Sequence, residues 1–372
     1  MKILHVTNTV AAGGAEVTLL ALCRHHKAAG VDLTVACLRE HVPDTGSLRP
    51  EFERAGIVVR DLDCARFDPR CPWTLHGLIR EERPDILHTH LPRADIAGIV
   101  ARGRKPIPRV VTVHGTYGTQ GMWRYLKPAL AGVWRRADAV LATSGAVSTW
   151  LVQSCGLPSE SVRVVYNGID VESFASARRD LRAEWGMEER PVIGTVGRLE
   201  PGKGHDLLVQ GMPRVLREFP NAVLLIAGVG SAAYGRALAN LIHDLGLREH
   251  VRLVGFQEDV PSFLHSVDVF ASGSRSEGFG LAVAEAMAAG KPVVAAHIPP
   301  LDEIVEDGET GLLVGPESPD AFGRAIVALL RDPATAERMG TGGRSRVAER
   351  FTASRMAADV LRIYSRLLEE TA

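Results

Sequence analysis

Two glutamates interrupt a run of glycine and small apolar residues in 274-SRSEGFGLAVAEAMAAGKPVVAA-296: Glu277 and, with seven residues between, Glu285. Burying an unpaired carboxylate is costly, so a pair of them in such a run calls for something to bind. The segment 274–280 reads as a loop after a strand, and 281-LAVAEAMAAG-290 as a helix closed by Gly290. The start of that helix, near Phe279, Gly280 and Leu281, offers unpaired N–H groups that attract a phosphate. From Phe279 to Glu285 a helix rises roughly 9 Å, comparable to the span from a sugar ring to a ribose across a diphosphate. A carboxylate has about four lone-pair sites, which suits vicinal diols. One glutamate is therefore expected to take sugar hydroxyls and the other ribose hydroxyls. The alternative, a Glu285 that faces solvent, sits poorly with neighbours Ala282, Val283, Ala284, Ala286 and Met287, which make a buried helix.

A second constellation is 197-GRLEPGKGHD-206. It lacks the G-x-x-x-x-G-K-[ST] order of a phosphate-gripping loop, since His205 stands where a hydroxyl would be needed. Arg198 at the end of a strand and Lys203 between two glycines still suit a diphosphate, the first as a bidentate fork and the second as a point charge. Two solvated surface cations would be the bland alternative. A weaker signal is 228-GVGSAA-233, a G-x-G-x-x-A after a strand. A nicotinamide site also needs an acidic residue at the end of the next strand, and 251-VRLVGF-256 ends in Gly-Phe. That leaves a tight turn, or close backbone approach to some nucleotide.

Histidines end two strands of the first half, His90 in 85-DILHTHLPRAD-95 and His114 in 109-RVVTVHGTYG-118. His88 and His90 share a strand face, yet no clustered carboxylate or cysteine completes a metal set, so hydrogen bonding to a ligand is the favoured role. The acidic pair in 61-DLD-63 reads as the polar end of a strand. The stretch 121-GMWRYLKPALAGVWRRAD-138 interleaves Trp123, Tyr125 and Trp134 with basic residues. Ordinary amphipathic packing accounts for it, and an interfacial helix at a membrane surface is the alternative.

Positioning these groups requires parallel sheets covered by helices, because short apolar runs alternate with helical stretches throughout. The first half gives strands at 2–8, 33–38, 57–62, 85–90, 109–115, 139–144 and 162–168. A second series runs 191–199, 222–230, 251–256, 267–273, 292–296 and 312–315. Each half opens with a strand, a glycine-rich loop (8-NTVAAGGAE-16 and 197-GRLEPGKGHDLL-208) and a helix. The α/β architecture expected is two doubly wound domains facing across a cleft, over 1–168 and 191–352, with a polar linker at 169–190. Residues 353–372 would form a helix that caps one domain or crosses back to the first.

Composition fits that frame. The 372 residues exceed one ordinary core; 46% are hydrophobic, 23% charged, and the net charge of −1 argues against nucleic acid as a partner. Five scattered cysteines without a C-x-x-C pair suggest a reducing compartment. The N-terminal MKILHVTNTV reads as a strand, not a signal peptide, and no run approaches the roughly 18 apolar residues of a membrane helix. A cytoplasmic protein is expected.

Taken together, 13-GGAE-16, 197-GRLEPGKG-204, the E-x7-E of Glu277 and Glu285, and 303-EIVEDGETGLLV-314 resemble glycosyltransferase family 4 over nearly the whole chain. The resemblance implies the GT-B fold and retaining, nucleotide-sugar-dependent transfer. It would assign Gly13 and Gly14 to approach of the first loop to the donor phosphate and acceptor, and Arg198 and Lys203 to the leaving diphosphate, the role a metal plays elsewhere. Glu277 would hold the donor sugar and Glu285 the ribose. The backbone at Phe279, Gly280 and Leu281 would meet sugar and phosphate, and the strand end from Val254 to Phe256 the base. His114 would lie near the transferring sugar and His90 near the acceptor. One departure is 297-HIPPLDEIV-305, where the family commonly has Gly-Gly: Pro299 and Pro300 offer no amide to a phosphate. The implied reaction moves a hexosyl unit from a UDP- or GDP-sugar to an acceptor hydroxyl, sugar or lipid-linked, in cell-surface glycan or glycolipid synthesis. No cofactor or metal is implied, and contact is expected at most with the inner membrane face. An epimerase on the same fold and a non-catalytic nucleotide-sugar-binding subunit are the rival readings.

Overall fold

Short runs of β-branched and aliphatic residues build the strands, and the central ones, buried along their length, must be covered on both sides. The first series is β1 (Lys2–Thr7), β2 (Asp32–Cys37), β3 (Val58–Asp61), β4 (Ile86–His90), β5 (Arg109–Val113), β6 (Ala139–Ala142) and β7 (Val162–Val164). The second is β8 (Val192–Val196), β9 (Val223–Ala227), β10 (Val251–Gly255), β11 (Val269–Ser272), β12 (Val293–Ala296) and β13 (Leu312–Val314). The structure, a computed structural model, describes residues 1–39, 46–65, 68–101, 107–117, 123–177 and 179–371, apart from the side chains of 123–125 and 371. Two compact units result, Met1–Gly168 with Ala353–Ala372, and Ile169–Thr352.

In the first unit the strand order is β3-β2-β1-β4-β5-β6-β7 and every pairing is parallel. The order reverses between β1 and β4. Loops leaving these two strands meet there, with Asn8 Oδ1 accepting from the Ala94 amide at 3.1 Å. The second unit orders its parallel strands β10-β9-β8-β11-β12-β13 and reverses between β8 and β11. Strands β8 and β11 are far apart in sequence yet hydrogen-bonded neighbours, so the loops at their carboxyl ends are forced together. Those are the loops that carry Arg198, Lys203 and Glu277.

The last helix, Ala353–Thr371, belongs to the first unit. Met356, Val360, Tyr364 and Leu367 recur at helical spacing and join Leu19, Leu22 and Cys23 in its core. A ring nitrogen of His26 lies 3.0 Å from the Ala357 carbonyl. Residues 169–190, read as a linker, fold with the second unit. They form a 3-10 turn at Val171–Phe174 and a helix at Leu181–Trp185, with Phe174, Leu181 and Met187 buried. These apolar residues are isolated in a polar stretch, so no period announced them.

Candidate functional site

Strand β8 runs into a loop that turns at Pro201–Lys203 and enters the helix His205–Leu216. Gly204 joins turn to helix at φ +62°, and a Cβ there would sit 1.8 Å from the Gly273 carbonyl oxygen, so only glycine lets the two loops approach this closely. Across that contact Lys203 Nζ donates to Glu277 Oε1 at 2.7 Å, and Ser274 Oγ donates to the same oxygen at 2.7 Å. Both charged side chains are mostly covered, at 22% and 14% exposure. Glu277 Oε2 takes no hydrogen bond among the described residues and is left as an open acceptor. Arg198 lies alongside in sequence: its side chain is 69% exposed and, among the described residues, is paired with Glu200 at 3.0 Å. The Arg198 backbone is anchored, since a ring nitrogen of buried His205 lies 3.2 Å from its carbonyl. Burial pushes His205 down to about 4, so the neutral ring donates there. The 228–233 loop zips onto the same segment, with Leu199 N–H donating to Val229 at 3.0 Å and Ser231 N–H to Leu199 at 2.9 Å.

Strand β11 leads through the Glu277 loop to the helix Leu281–Ala288, whose N-cap Gly280 (φ +101°) provides no side-chain cap. A Cβ on Gly280 would stand 2.4 Å from Leu301 Cδ2, so the bare backbone is imposed by packing as well as by φ. The Phe279 ring is buried, edge-on to Phe351 with centroids 5.6 Å apart. Glu285 is half-buried in that helix and has no hydrogen-bond partner among the described residues. Burial pushes its carboxyl up to about 8. Phe256, just past β10, is 38% exposed. At the diproline segment the Leu301 amide donates to Ile298 at 2.7 Å, and the Glu303 amide to Pro300 at 3.0 Å. These N–H groups are spent inside the protein.

In the first unit Gly13 caps the helix Gly14–Ala28 with an extended backbone, and a Cβ on it would meet Glu16 Oε2 at 2.6 Å. The histidines sit differently from their expected placement. His90, expected near the acceptor, is 2% exposed with both ring nitrogens engaged, Nδ1 3.2 Å from His114 Nε2 and Nε2 3.1 Å from His5 Nδ1. Direct acceptor contact by His90 therefore gives way to an internal row His114–His90–His5. The strand period showed that His88 and His90 share a face, but not that the face points into the core. His114 is half-buried, and its Nδ1 has no partner among the described residues. A cavity of about 20 Å³, enough for one water, adjoins His90, His114, Thr112 and Asn167.

His5, His88 and His90 bring ligand atoms within 4.8 Å of one another. His88, however, already bonds Tyr364 Oη at 2.5 Å and Thr112 Oγ1 at 2.7 Å, so this set fits a hydrogen-bonded core better than a coordination sphere. Desolvation lowers His5 to about 3 and His114 to about 4, and holds His88 and His90 far below the usual imidazole range. All four rings are neutral near pH 7.

The Trp/Arg segment forms the helix Trp123–Trp134, of which the Trp123, Arg124 and Tyr125 side chains lie outside the described residues. Trp134 is fully buried and donates Nε1–H to Asp95 Oδ2 at 3.0 Å. Arg135 binds the carbonyl of Cys155 at 2.8 Å, and Arg136 that of Gly132 at 2.8 Å. These groups serve packing and capping. Trp134→Phe should keep the ring packing but strip a hydrogen bond from a buried carboxyl, costing about 1–2 kcal/mol in urea unfolding. A cost near zero would mean that the indole bond contributes nothing. Among the described residues no helix is long and apolar enough to cross a membrane.

Sequence reading missed His205 as a backbone support, and it missed Asp206, Tyr234 and Arg275. Arg275 reaches Asp206 Oδ1 and Oδ2, both at 2.9 Å, and Tyr234 Oη donates to Asp206 Oδ1 at 2.9 Å. Arg275 lies inside the 274–280 motif, so its position was visible; its partner Asp206, 69 residues away, was not.

Comparisons with known proteins show the family. Residues 12–173 match the model of Glycosyltransferase Family 4, and 177–346 that of Glycosyl transferases group 1. The chain is 34% identical over 247 residues to a GDP-mannose-dependent alpha-(1-6)-phosphatidylinositol monomannoside mannosyltransferase of Mycolicibacterium smegmatis, covering 62% of this chain and 64%, just under two thirds, of that protein. It is 31% identical over 300 residues to the phosphatidyl-myo-inositol mannosyltransferase of Mycobacterium tuberculosis strain H37Rv, covering 78% of this chain and 75% of that one. Among solved structures, Anabaena HepE in complex with UDP-glucose superposes with a TM-score of 0.88 at 24% identity, covering 98% of this chain and 100% of that one, a likeness of fold. With both halves matched and a relative above 30% identity aligned over three quarters of its length, the chain belongs to glycosyltransferase family 4 and is a glycosyltransferase.

Proposed function

We propose that the protein moves a hexosyl unit from a nucleotide diphosphate sugar to an acceptor hydroxyl, with retention at the anomeric carbon and with cationic side chains in place of a metal. The observation that carries this reading is the Lys203–Glu277 pair, 2.7 Å apart where the sheet order reverses, with an exposed Arg198 on the same β8 loop. Donor binding exchanges that ion pair for two sets of contacts. Lys203 and Arg198 turn to the diphosphate, and the open Glu277 Oε2 takes sugar hydroxyls while Ser274 keeps hold of Oε1. The uncapped N–H groups at Leu281 lie between Glu277 and Glu285 in sequence, where phosphate oxygens would fall. Glu285 takes the ribose, and the exposed Phe256 the base.

Neither glutamate is suited to covalent attack. With the donor bound, Glu277 is held by Ser274 and taken up by the sugar hydroxyls, and Glu285 is taken up by the ribose, away from the anomeric carbon. The leaving diphosphate therefore departs and the acceptor attacks from the same face, with the cations stabilising the charge that develops on the phosphate. His114 contributes a neutral ring at the end of β5, and Gly13 and Gly14 a close-approaching loop after β1. The names of the sequence relatives put GDP-mannose and an inositol lipid first among donor and acceptor.

The test is nucleotide release across a panel of UDP- and GDP-sugars, with the product's anomeric configuration read by NMR and the assay repeated in EDTA. Acceptor-dependent release, retained configuration and insensitivity to EDTA are expected. An inverted product or a metal requirement would overturn the corresponding part. Epimerisation without an acceptor would replace the reading.

A further inference from the structure

Arg275 has no assigned role in the reaction above, yet it makes more polar contacts than any of the charged residues that do. Its guanidinium donates to Pro201 O at 2.8 Å, to both Asp206 oxygens at 2.9 Å, and to Glu317 Oε1 and Oε2 at 2.6 and 3.0 Å. Its backbone amide donates to Gly202 O at 2.8 Å. One residue of the β11 loop thus grips the turn Pro201–Lys203 on both sides of Gly202 and the first turn of the helix that follows, while Glu317 braces it from beyond β13. Burial works against charge on Asp206, but the hydrogen bonds from Arg275 and Tyr234 outweigh it and hold that carboxyl below its usual range. Tyr234 extends the grip to the helix that begins at Ala232, after the 228–231 loop.

We infer that Arg275 is a positioning residue that holds the Lys203 loop and the Glu277 loop in register while the donor occupies the site. This rests on the reading of Lys203 and Glu277 as donor ligands. The reasoning is one of succession. Among the described residues four ties join the two loops: the Gly204–Gly273 contact, the Lys203–Glu277 ion pair, the Arg275 amide bond to Gly202 and the Arg275 side-chain fork, which reaches past the turn to Asp206. Donor binding draws Lys203 to phosphate and Glu277 to sugar, so the second tie is lost when the reaction requires the geometry to hold. The first tie is a steric contact that sets how close the loops can come without resisting their separation. Arg275 faces Asp206 and Glu317, touches none of the groups assigned to the donor, and remains bound through the exchange. A planar fork can serve two carboxylates and a carbonyl at fixed angles; an ammonium cannot reproduce that geometry.

The experiment compares Arg275→Lys, Asp206→Asn and the double variant with wild type. Three quantities are read: kcat for transfer, Kd for GDP and UDP by calorimetry, and amide hydrogen exchange over 198–204 and 273–280. Each single variant should lower kcat about 10–100-fold, the loss typical of a displacement near 1 Å in a reacting group, and the double variant little further, because both break one link. Nucleoside diphosphate Kd should shift less than threefold, since that ligand lacks the sugar that needs Glu277 in register. Exchange over both loops should speed up in Arg275→Lys and stay unchanged in Lys203→Ala. Unchanged kcat, or a kcat loss that only follows the fraction unfolded at the assay temperature, would overturn the inference. So would unchanged exchange in Arg275→Lys. Should that variant fail to fold, Asp206→Asn, which keeps the side-chain shape, decides by the same criteria. The exchange measurement needs no turnover, so a clamp without transferase activity in the wild type would count against the proposed function and not against the clamp.

Discussion

Replacing Lys203 with Ala should lower kcat for sugar transfer by about 10²–10³, equivalent to about 2.7–4 kcal/mol of transition-state stabilisation, with the fold intact. The two halves of that expectation have different origins. An ion pair between partly covered side chains at the end of a sheet contributes about 0–1 kcal/mol to folding, and the Gly204–Gly273 contact and Arg275 remain to hold the loops. In the reaction the ammonium, 2.7 Å from Glu277 in the empty site, is free to meet the charge that develops on a departing nucleoside diphosphate. Arg198→Ala should behave alike, with still less effect on stability because the side chain is 69% exposed. Arg198→Lys restores the charge without the fork and should recover only part of the rate. Thermal unfolding within about 2 °C of wild type, together with the rate loss, is the result sought. A Lys203→Ala variant that transfers sugar within threefold of the wild-type rate would remove Lys203 from the mechanism.

The sequence carried the strands almost completely, because most are short apolar runs bounded by turn residues, and the central ones are buried along their length. The motif residues were legible for a related reason: glycine, lysine and glutamate in a strand-to-helix turn break the surrounding apolar pattern. What could not be read was which groups touch. Lys203 and Glu277 are 74 residues apart, His5 and His90 are 85 apart, and His88 and Tyr364 are 276 apart. Those pairings follow from strand order, and apolar periodicity does not specify strand order. His90 shows the consequence. At a strand end it looks like a ligand-facing group, but β4 is central in its sheet and the last helix covers it, so the ring bonds other histidines. Trp134 misleads in the same way, since an indole on an amphipathic helix looks alike whether it meets lipid or Asp95. Residues 169–190 show the limit for short elements: the four apolar residues buried there, Ile169, Phe174, Leu181 and Met187, are too few and too unevenly spaced to carry a period.

Glu285 gives the second large effect, and it has opposite signs for stability and function. Burial raises its carboxyl from 4.5 to about 8, so between those values the folded protein keeps a proton that the unfolded chain gives up. Where the native state binds more protons, stability falls as pH rises. The penalty is absent below about pH 4.5, grows through neutrality and is complete above about pH 8. Glu285→Gln is isosteric and never ionises, so it should unfold at a higher temperature than wild type at pH 8 and at the same temperature at pH 4.5. Because Glu285 is only half-buried, solvent screening reduces the gain to about 1–2 kcal/mol, or about 2–4 °C for each kcal/mol. Donor binding should move the other way. A carboxylate accepts from both ribose hydroxyls, whereas an amide presents one acceptor oxygen and two donors, so donor KM should rise about 10–100-fold at pH 8, in line with about 1.5–3 kcal/mol for hydrogen bonds to a charged group. The wild-type donor KM should also fall as pH rises from 6 to 8, because binding requires Glu285 to release its proton, and that slope should vanish in Glu285→Gln. Calorimetry in buffers of different ionisation enthalpy counts the proton directly. If the variant were no more stable at pH 8 than wild type, the carboxyl would be ionised without cost in the empty site. If its KM matched wild type across the range, the ribose would be held by something other than Glu285.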